Sequence, residues 1–175
     1  LSAIFASLTM IGGLFKIHLF LVPFTLQTFF VLLAGIVVGP YWGFISQMIY
    51  LLVGLIGFPV FATGGGIMYV LQPTFGYILG FPIAAFVVGF LLSRVEITNR
   101  RKCWMRLFLY NFAGVLIISI SGVIYLYFNL KYVAHQPLPF LQIIWHGLLI
   151  FLPVDFVKVF LLSFLAHRIL KYKFF

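Results

Sequence analysis

The chain has 175 residues, 65% of them hydrophobic, 20% aromatic and only 7% charged, with a mean hydropathy of +1.24. An ordinary soluble domain is about 45–50% apolar and about 25% charged, and so few polar groups cannot cover a water-facing surface. Disorder is excluded from the other side, because disordered chains are poor in aromatics and this one holds 23 Phe. The solvent that remains is lipid.

A helix crossing roughly 30 Å of hydrocarbon needs about 20 residues, so six helices take about 120 and leave about 55 for loops. A β-barrel would alternate apolar and polar residues over about ten positions, and runs such as LLAGIVVG and FLLSFLA do not alternate. The expected fold is an all-α polytopic membrane protein of six transmembrane helices, a single domain over residues 1–175. Eleven Lys and Arg against two acids give a net charge of +9. In a soluble chain that would suggest nucleic acid; here the cations cap apolar runs and serve topology, so no nucleic-acid partner is expected. The single Cys103 excludes an internal disulfide and has no CxxC partner, so no metal site is expected.

In chain order, glycine, proline and polar clusters mark the boundaries. The first helix is predicted over residues 1–20; it lacks the basic start and cleavage pattern of a signal peptide. A second helix covers 25–38, and the turn Gly39-Pro40-Tyr41-Trp42-Gly43 leads to a third over 44–56. Residues 57–76, GFPVFATGGGIMYVLQPTFG, are too rich in Gly and Pro for an unbroken span. Irregular backbone at membrane depth survives only against protein or a cavity, so this segment reads as a partly buried outer loop between helices 3 and 4. A fourth helix follows over 77–93, then the charged stretch RVEITNRRKCWMR with Cys103 in it, a fifth helix over 107–128 and a sixth over 143–166.

The cations orient the bundle. Arg94, Arg100, Arg101, Lys102 and Arg106 lie after helix 4, and Arg168, Lys171 and Lys173 lie in the tail; the opposite side has only Lys16 and Lys131. Eight against two puts the clusters, and with an even span count both termini, on the cytoplasmic side of the cell membrane.

The remaining cation, Lys158, sits inside helix 6 within FLPVDFVKVFLL, three residues after Asp155. Each charge at a helix centre costs about 2.5–3.5 kcal/mol on the translocon scale. A mutual salt bridge softens that cost but explains neither group, since two apolar residues would cost less. A functional polar centre is therefore expected, with Pro153 kinking the helix beside it. At about 100° per residue, Trp145, Leu148, Leu152, Asp155 and Lys158 share one broad face. That face suits a neutral ligand with adjacent N–H and C=O groups and an apolar body. His146 falls nearly opposite and reads as packing or interfacial. With one acid in the membrane, no HxxxH spacing, no nucleophile elbow and no phosphate loop, no enzymatic activity and no cofactor are expected. Gly64-Gly65-Gly66 reads either as a flexible connection or as backbone approaching a ligand, a lid with Pro59 and Pro73 as stiff ends. On helix 1, Ala3 and Ser7, like Ser2 and Ala6, make a small-xxx-small step that permits close helix contact.

These motifs in order are similar to the BioY family, the biotin-binding S components of energy-coupling factor (ECF) transporters. The resemblance rests on PFTLQT (23–28), AGIVVGPYWG (34–43), YLLVGLIGFPVF (50–61), the Gly64–Gly66 cluster, PTFGY with GF (73–81) and LPVDFVK (152–158). It implies capture of biotin from outside and delivery through a transmembrane coupling protein driven by a pair of ATPases. Carried onto this chain, Asp155 and Lys158 match the pair that contacts the biotin head group. Ala3 and Ser7 match the step that docks to the coupling protein, with Ser7 where Ala is usual. Gln27, Tyr77, Trp145 and the loop residues Thr63, Gly64, Gly65 and Gly66 are read as wall or lid positions. Gln72 and Phe75 stand where the family loop often has glycines, and Phe75 is expected to narrow the lid. Two rival readings are a self-sufficient small-solute carrier using Asp155 and Lys158 as a substrate or proton site, and a structural subunit without a ligand.

Overall fold

The computed structural model describes residues 1–17, 22–94, 100–136 and 138–173, without the side chains of 100–103 and 170–173. The cations Arg100, Arg101, Lys102, Lys171 and Lys173, on which the topology count leans, fall among those side chains outside the description.

The first helix, α1 (Ser2–Leu14), is shorter than expected. It gives way to a small hairpin in which β1 (Lys16–Ile17) pairs antiparallel with β2 (Phe24–Thr25), Lys16 opposite Thr25 and Ile17 opposite Phe24. Two adjacent glycines weaken the end of α1 and thin it. A Cβ on Gly12 would lie 2.8 Å from the Phe30 ring, and one on Gly13 2.9 Å from the Gln27 amide nitrogen. The start of α2 (Gln27–Val38) fills that space, and the Leu26 amide donates to the Gly12 carbonyl at 3.2 Å. Strands of two residues are too short to show a period, and the breaks at Lys16 and Pro23 read equally as the end of a helix.

The next helix, α3 (Pro40–Ile56), starts four residues before the expected position. Gly39, at φ +85°, reverses the chain, and Pro40 takes the first helical position, where a missing N–H costs nothing. The helix α4 (Phe75–Ser93) carries Pro82 in its interior. The 33-residue α5 (Arg100–Tyr132) overruns the expected 107–128 at both ends, so Cys103 lies in its backbone rather than in a loop. The last apolar run is α6 (Phe140–Ile144), a π-turn (Trp145–Leu149) and α7 (Leu152–Lys173). The ladder breaks just before Pro153, as the proline predicts.

Among the described residues, three apolar helices are long enough to cross a membrane: Phe75–Ser93, Trp104–Tyr132 and Phe140–Ile169. At 1.5 Å per residue, α1 and α2 reach only about 20 Å and about 18 Å. Large apolar side chains such as Leu52, Ile83, Leu109, Val157 and Phe160 face outward, the pattern of a lipid-bathed surface.

Helices α2, α3 and α4 meet backbone to backbone. A Cβ on Gly35 would lie 2.3 Å from the Ala85 carbonyl oxygen, one on Gly89 2.7 Å from the Gly35 carbonyl oxygen, and one on Gly43 3.0 Å from the Gly35 Cα. Small residues at such crossings let dispersion contacts replace the hydrophobic drive that lipid does not supply. Between α5 and α7, aromatic contacts such as Phe108 with Phe156 are joined by a polar one: the fully buried Asn111 amide donates to Ser163 Oγ at 3.1 Å. A second apolar cluster, including Val22, Phe24, Leu126, Ile143 and Phe151, packs the hairpin against α5 and the last helix. The site lies under that hairpin.

Candidate functional site

The site starts from the α7 pair. Lys158 Nζ donates to Asp155 Oδ1 at 2.8 Å, with the side chains 13% and 8% exposed. The ammonium also donates to Thr28 Oγ1 at 3.1 Å, which ties α7 to the first turn of α2. Both charged residues line a cavity of about 60 Å³ bounded by the hairpin, α2, α4, α5 and α7. Phe24, Ile78, Phe81, Ile118 and Phe151 give it apolar walls, and Thr25, Thr28, Tyr69, Tyr77 and Ser119 add hydroxyls. One carboxylate acceptor and one ammonium donor therefore face a small space with aromatic walls. A carboxylate offers about four lone-pair sites and an ammonium three protons, so their mutual bond leaves capacity on each. Such a pair can hold a neutral group carrying both a donor and an acceptor.

Tyr77 is on this lining, and its place is fixed from both sides. Its hydroxyl donates to the Gly147 carbonyl at 2.7 Å. In a regular helix that carbonyl would accept from the Phe151 amide, but in this π-turn region Phe151 donates to Leu148 at 3.0 Å. The carbonyl so released is the one Tyr77 takes. Gly122 leaves room for the ring: a Cβ there would fall 2.3 Å from it.

Trp145 does not form the expected wall. It is 56% exposed and absent from the cavity lining. A π-turn carries more residues per turn than an α-helix, so the 100° increment that put Trp145 above Asp155 fails between them. His146 is half-buried and contacts the Gln142 carbonyl at 2.8 Å, in keeping with packing.

Gln27 is buried just behind the lining. Its amide donates to the Tyr50 hydroxyl, and its carbonyl oxygen accepts from Thr25 Oγ1 at 3.2 Å. It shapes the site from behind.

Thr63, Gly64, Gly65 and Gly66 also stand off the cavity, and each glycine has a local cause. Gly64 and Gly66 have φ of +134° and +98°, and a Cβ on Gly65 would fall 2.0 Å from the Phe58 carbonyl oxygen. The Gly66 amide donates to Gly54 at 2.7 Å. From residues 57–76 it is Ala62, Tyr69 and Thr74 that reach the lining. Tyr69 is held through its hydroxyl by Thr63 at 3.2 Å and Thr74 at 3.0 Å. Phe75, expected to narrow the lid, is buried instead against Tyr125, ring centroids 5.8 Å apart.

Thr28, Ser119 and the aromatic walls were missed by sequence reasoning. Thr28 lies inside the PFTLQT motif, which was the available signal; Ser119 in an apolar helix gave none. Ala3 and Ser7 lie exposed on one face of α1, with Ser7 Oγ donating to the Ala3 carbonyl at 3.0 Å.

The BioY family profile matches residues 1–173. The chain is 42% identical to the "Probable biotin transporter BioY" of Lysinibacillus sphaericus, covering 97% of this chain and 84% of that one. It is 32% identical to the "Biotin transporter BioY" of Thermotoga maritima, covering 97% and 94%. Among solved structures it resembles the crystal structure of the S-component for biotin from an ECF-type ABC transporter. That match has a TM-score of 0.82 and 29% identity, and covers 97% of this chain and 88% of the other.

Proposed function

The chain belongs to the BioY family, and from that premise we propose that it is the biotin-binding S component of an ECF transporter, with Asp155 and Lys158 as its head-group contacts. The observation that carries the reading is the Asp155–Lys158–Thr28 cluster opening on an aromatic cavity. Biotin's cyclic urea has two N–H donors for a carboxylate and one C=O acceptor for an ammonium. Its sulfur ring and alkyl chain suit Phe24, Phe81 and Phe151. The protein makes and breaks no covalent bond in this reading; its work is capture from outside the cell membrane and presentation to a coupling protein and ATPase pair.

A cavity of about 60 Å³ is far smaller than the pockets of about 300–1,000 Å³ that usually hold small-molecule ligands. Binding a bicyclic ligand therefore includes outward movement of a wall. The full architecture in this reading is a single domain of six crossings with both termini inside, the short α1 and α2 completed by the hairpin. Tyr77 forms part of the wall, while Gln27 and the Thr63–Gly66 loop support the lining from behind.

Calorimetric titration of the purified protein with biotin, desthiobiotin and thiamine tests the reading. Saturable heat with biotin and none with thiamine is expected. No heat with biotin, or equal heat with all three, overturns it.

A further inference from the structure

Beside the inner cavity lies a larger cleft of about 480 Å³, which shares Phe24, Thr25 and Lys158 with it. Its other walls include Leu14, Phe15, Lys16 and Val154. The cleft is thus lined by apolar residues together with two lysines. The two are not equivalent. Lys158 is engaged by Asp155 and Thr28 at the inner cavity. Lys16 is exposed, and its ammonium donates to the Ala62 carbonyl, linking the hairpin to the loop after α3. Three N–H donors serve an ammonium, so this link leaves two for another acceptor.

Lys158 answers to Asp155, whereas among the described residues Lys16 has no carboxylate within salt-bridge distance. A cationic group at the rim of an apolar cleft is complementary to an anion carried on an alkyl chain. We infer that Lys16 and this outer cleft form a second subsite, which receives the carboxylate at the end of a ligand's short alkyl chain while the polar ring sits at Asp155 and Lys158. The inference rests on the biotin reading and deepens it: the ring end and the acid end are recognised at separate places joined at Phe24 and Thr25. It makes Lys16 a specificity residue for the acid over its neutral derivatives.

The test compares biotin with biotinamide, in which a neutral amide of nearly the same size replaces the carboxylate, on the full chain in nanodiscs. The wild type is expected to prefer biotin about tenfold, the scale of one hydrogen bond to a charged group. Lys16→Met is expected to abolish that preference by weakening biotin alone, and Lys16→Arg to retain it. If Lys16→Met weakens both ligands equally, Lys16 acts only by holding the hairpin to Ala62 and the subsite is overturned. It is overturned as well if the variant keeps the wild-type preference. A wild type that binds neither ligand refutes the biotin reading itself, an outcome distinct from either.

Discussion

The hydroxyl of Tyr77 on α4 reaches the carbonyl of Gly147 in the π-turn at 2.7 Å. It supplies to the irregular part of the last span the hydrogen bond that its own ladder gives up. In lipid a backbone carbonyl without a partner is costly, so the turn and the tyrosine stand together. Tyr77→Phe should lower stability by about 1–3 kcal/mol, the range for a buried acceptor left unmade. Thermal unfolding in detergent measures it; an unchanged midpoint would mean that Gly147 finds another donor.

The space for the Tyr77 ring is set by Gly122. Gly122→Leu puts side-chain atoms where the ring now lies and should turn the ring into the cavity. Overpacking of this kind costs about 1–3 kcal/mol, and biotin affinity should fall while helix content by circular dichroism stays the same. Retained affinity would place the ligand away from Tyr77.

Asp155→Asn removes the acceptor's charge and leaves Lys158 with a neutral amide oxygen and Thr28 in place of its ion pair. Loss of a charge-assisted hydrogen bond predicts about 1.5–3 kcal/mol weaker biotin binding, roughly ten- to a hundredfold in Kd. Lys158→Met should weaken binding as well. Titration of the two variants and of the double variant distinguishes a shared role from separate ones. A double variant no worse than either single one is the expected sign of a coupled pair.

What could be read from the residues alone divides along physical lines. Asp155 and Lys158 stood out because charge in hydrocarbon is expensive wherever it occurs, and that holds without knowing the fold. Pro153 announced a break for the same local reason. Trp145 was misjudged because its direction depends on every turn between it and Asp155, and one turn there is π rather than α. The Lys16–Thr25 hairpin has strands of only two residues each, too short for a period to show. Gly64, Gly65 and Gly66 invited a ligand contact, yet each answers to its own backbone angle or to Phe58. Ser119 reaches the cavity only because α5 packs where it does.

The glycines of that loop predict a sharper outcome than flexibility would. Gly65→Ala cannot fit without moving the Phe58 carbonyl, from which its Cβ would lie 2.0 Å. The displaced loop should loosen Ala62 and Tyr69 at the cavity. Weaker biotin binding with faster proteolysis near residue 60 is expected. A Gly65→Ala protein indistinguishable from wild type would show that the loop does not control the site.

Ala3→Leu adds bulk to the exposed face of α1 without touching the cavity. Biotin binding by the isolated protein should be unchanged, and uptake by cells carrying the complete transporter should fall severalfold. If uptake survives, the coupling protein docks elsewhere.

The backbone contact of Gly35 with Ala85 and Gly89 bears on how the molecule can yield. Three helices locked without intervening side chains have no rotamers to change and little travel available. They behave as an anvil. About 56% of the most apolar stretch of Phe75–Ser93 is buried, against 28% for Phe140–Ile169. The less enclosed side is the last helix, and it, with the adjoining hairpin, is the side expected to give way to a guest larger than the resting cavity.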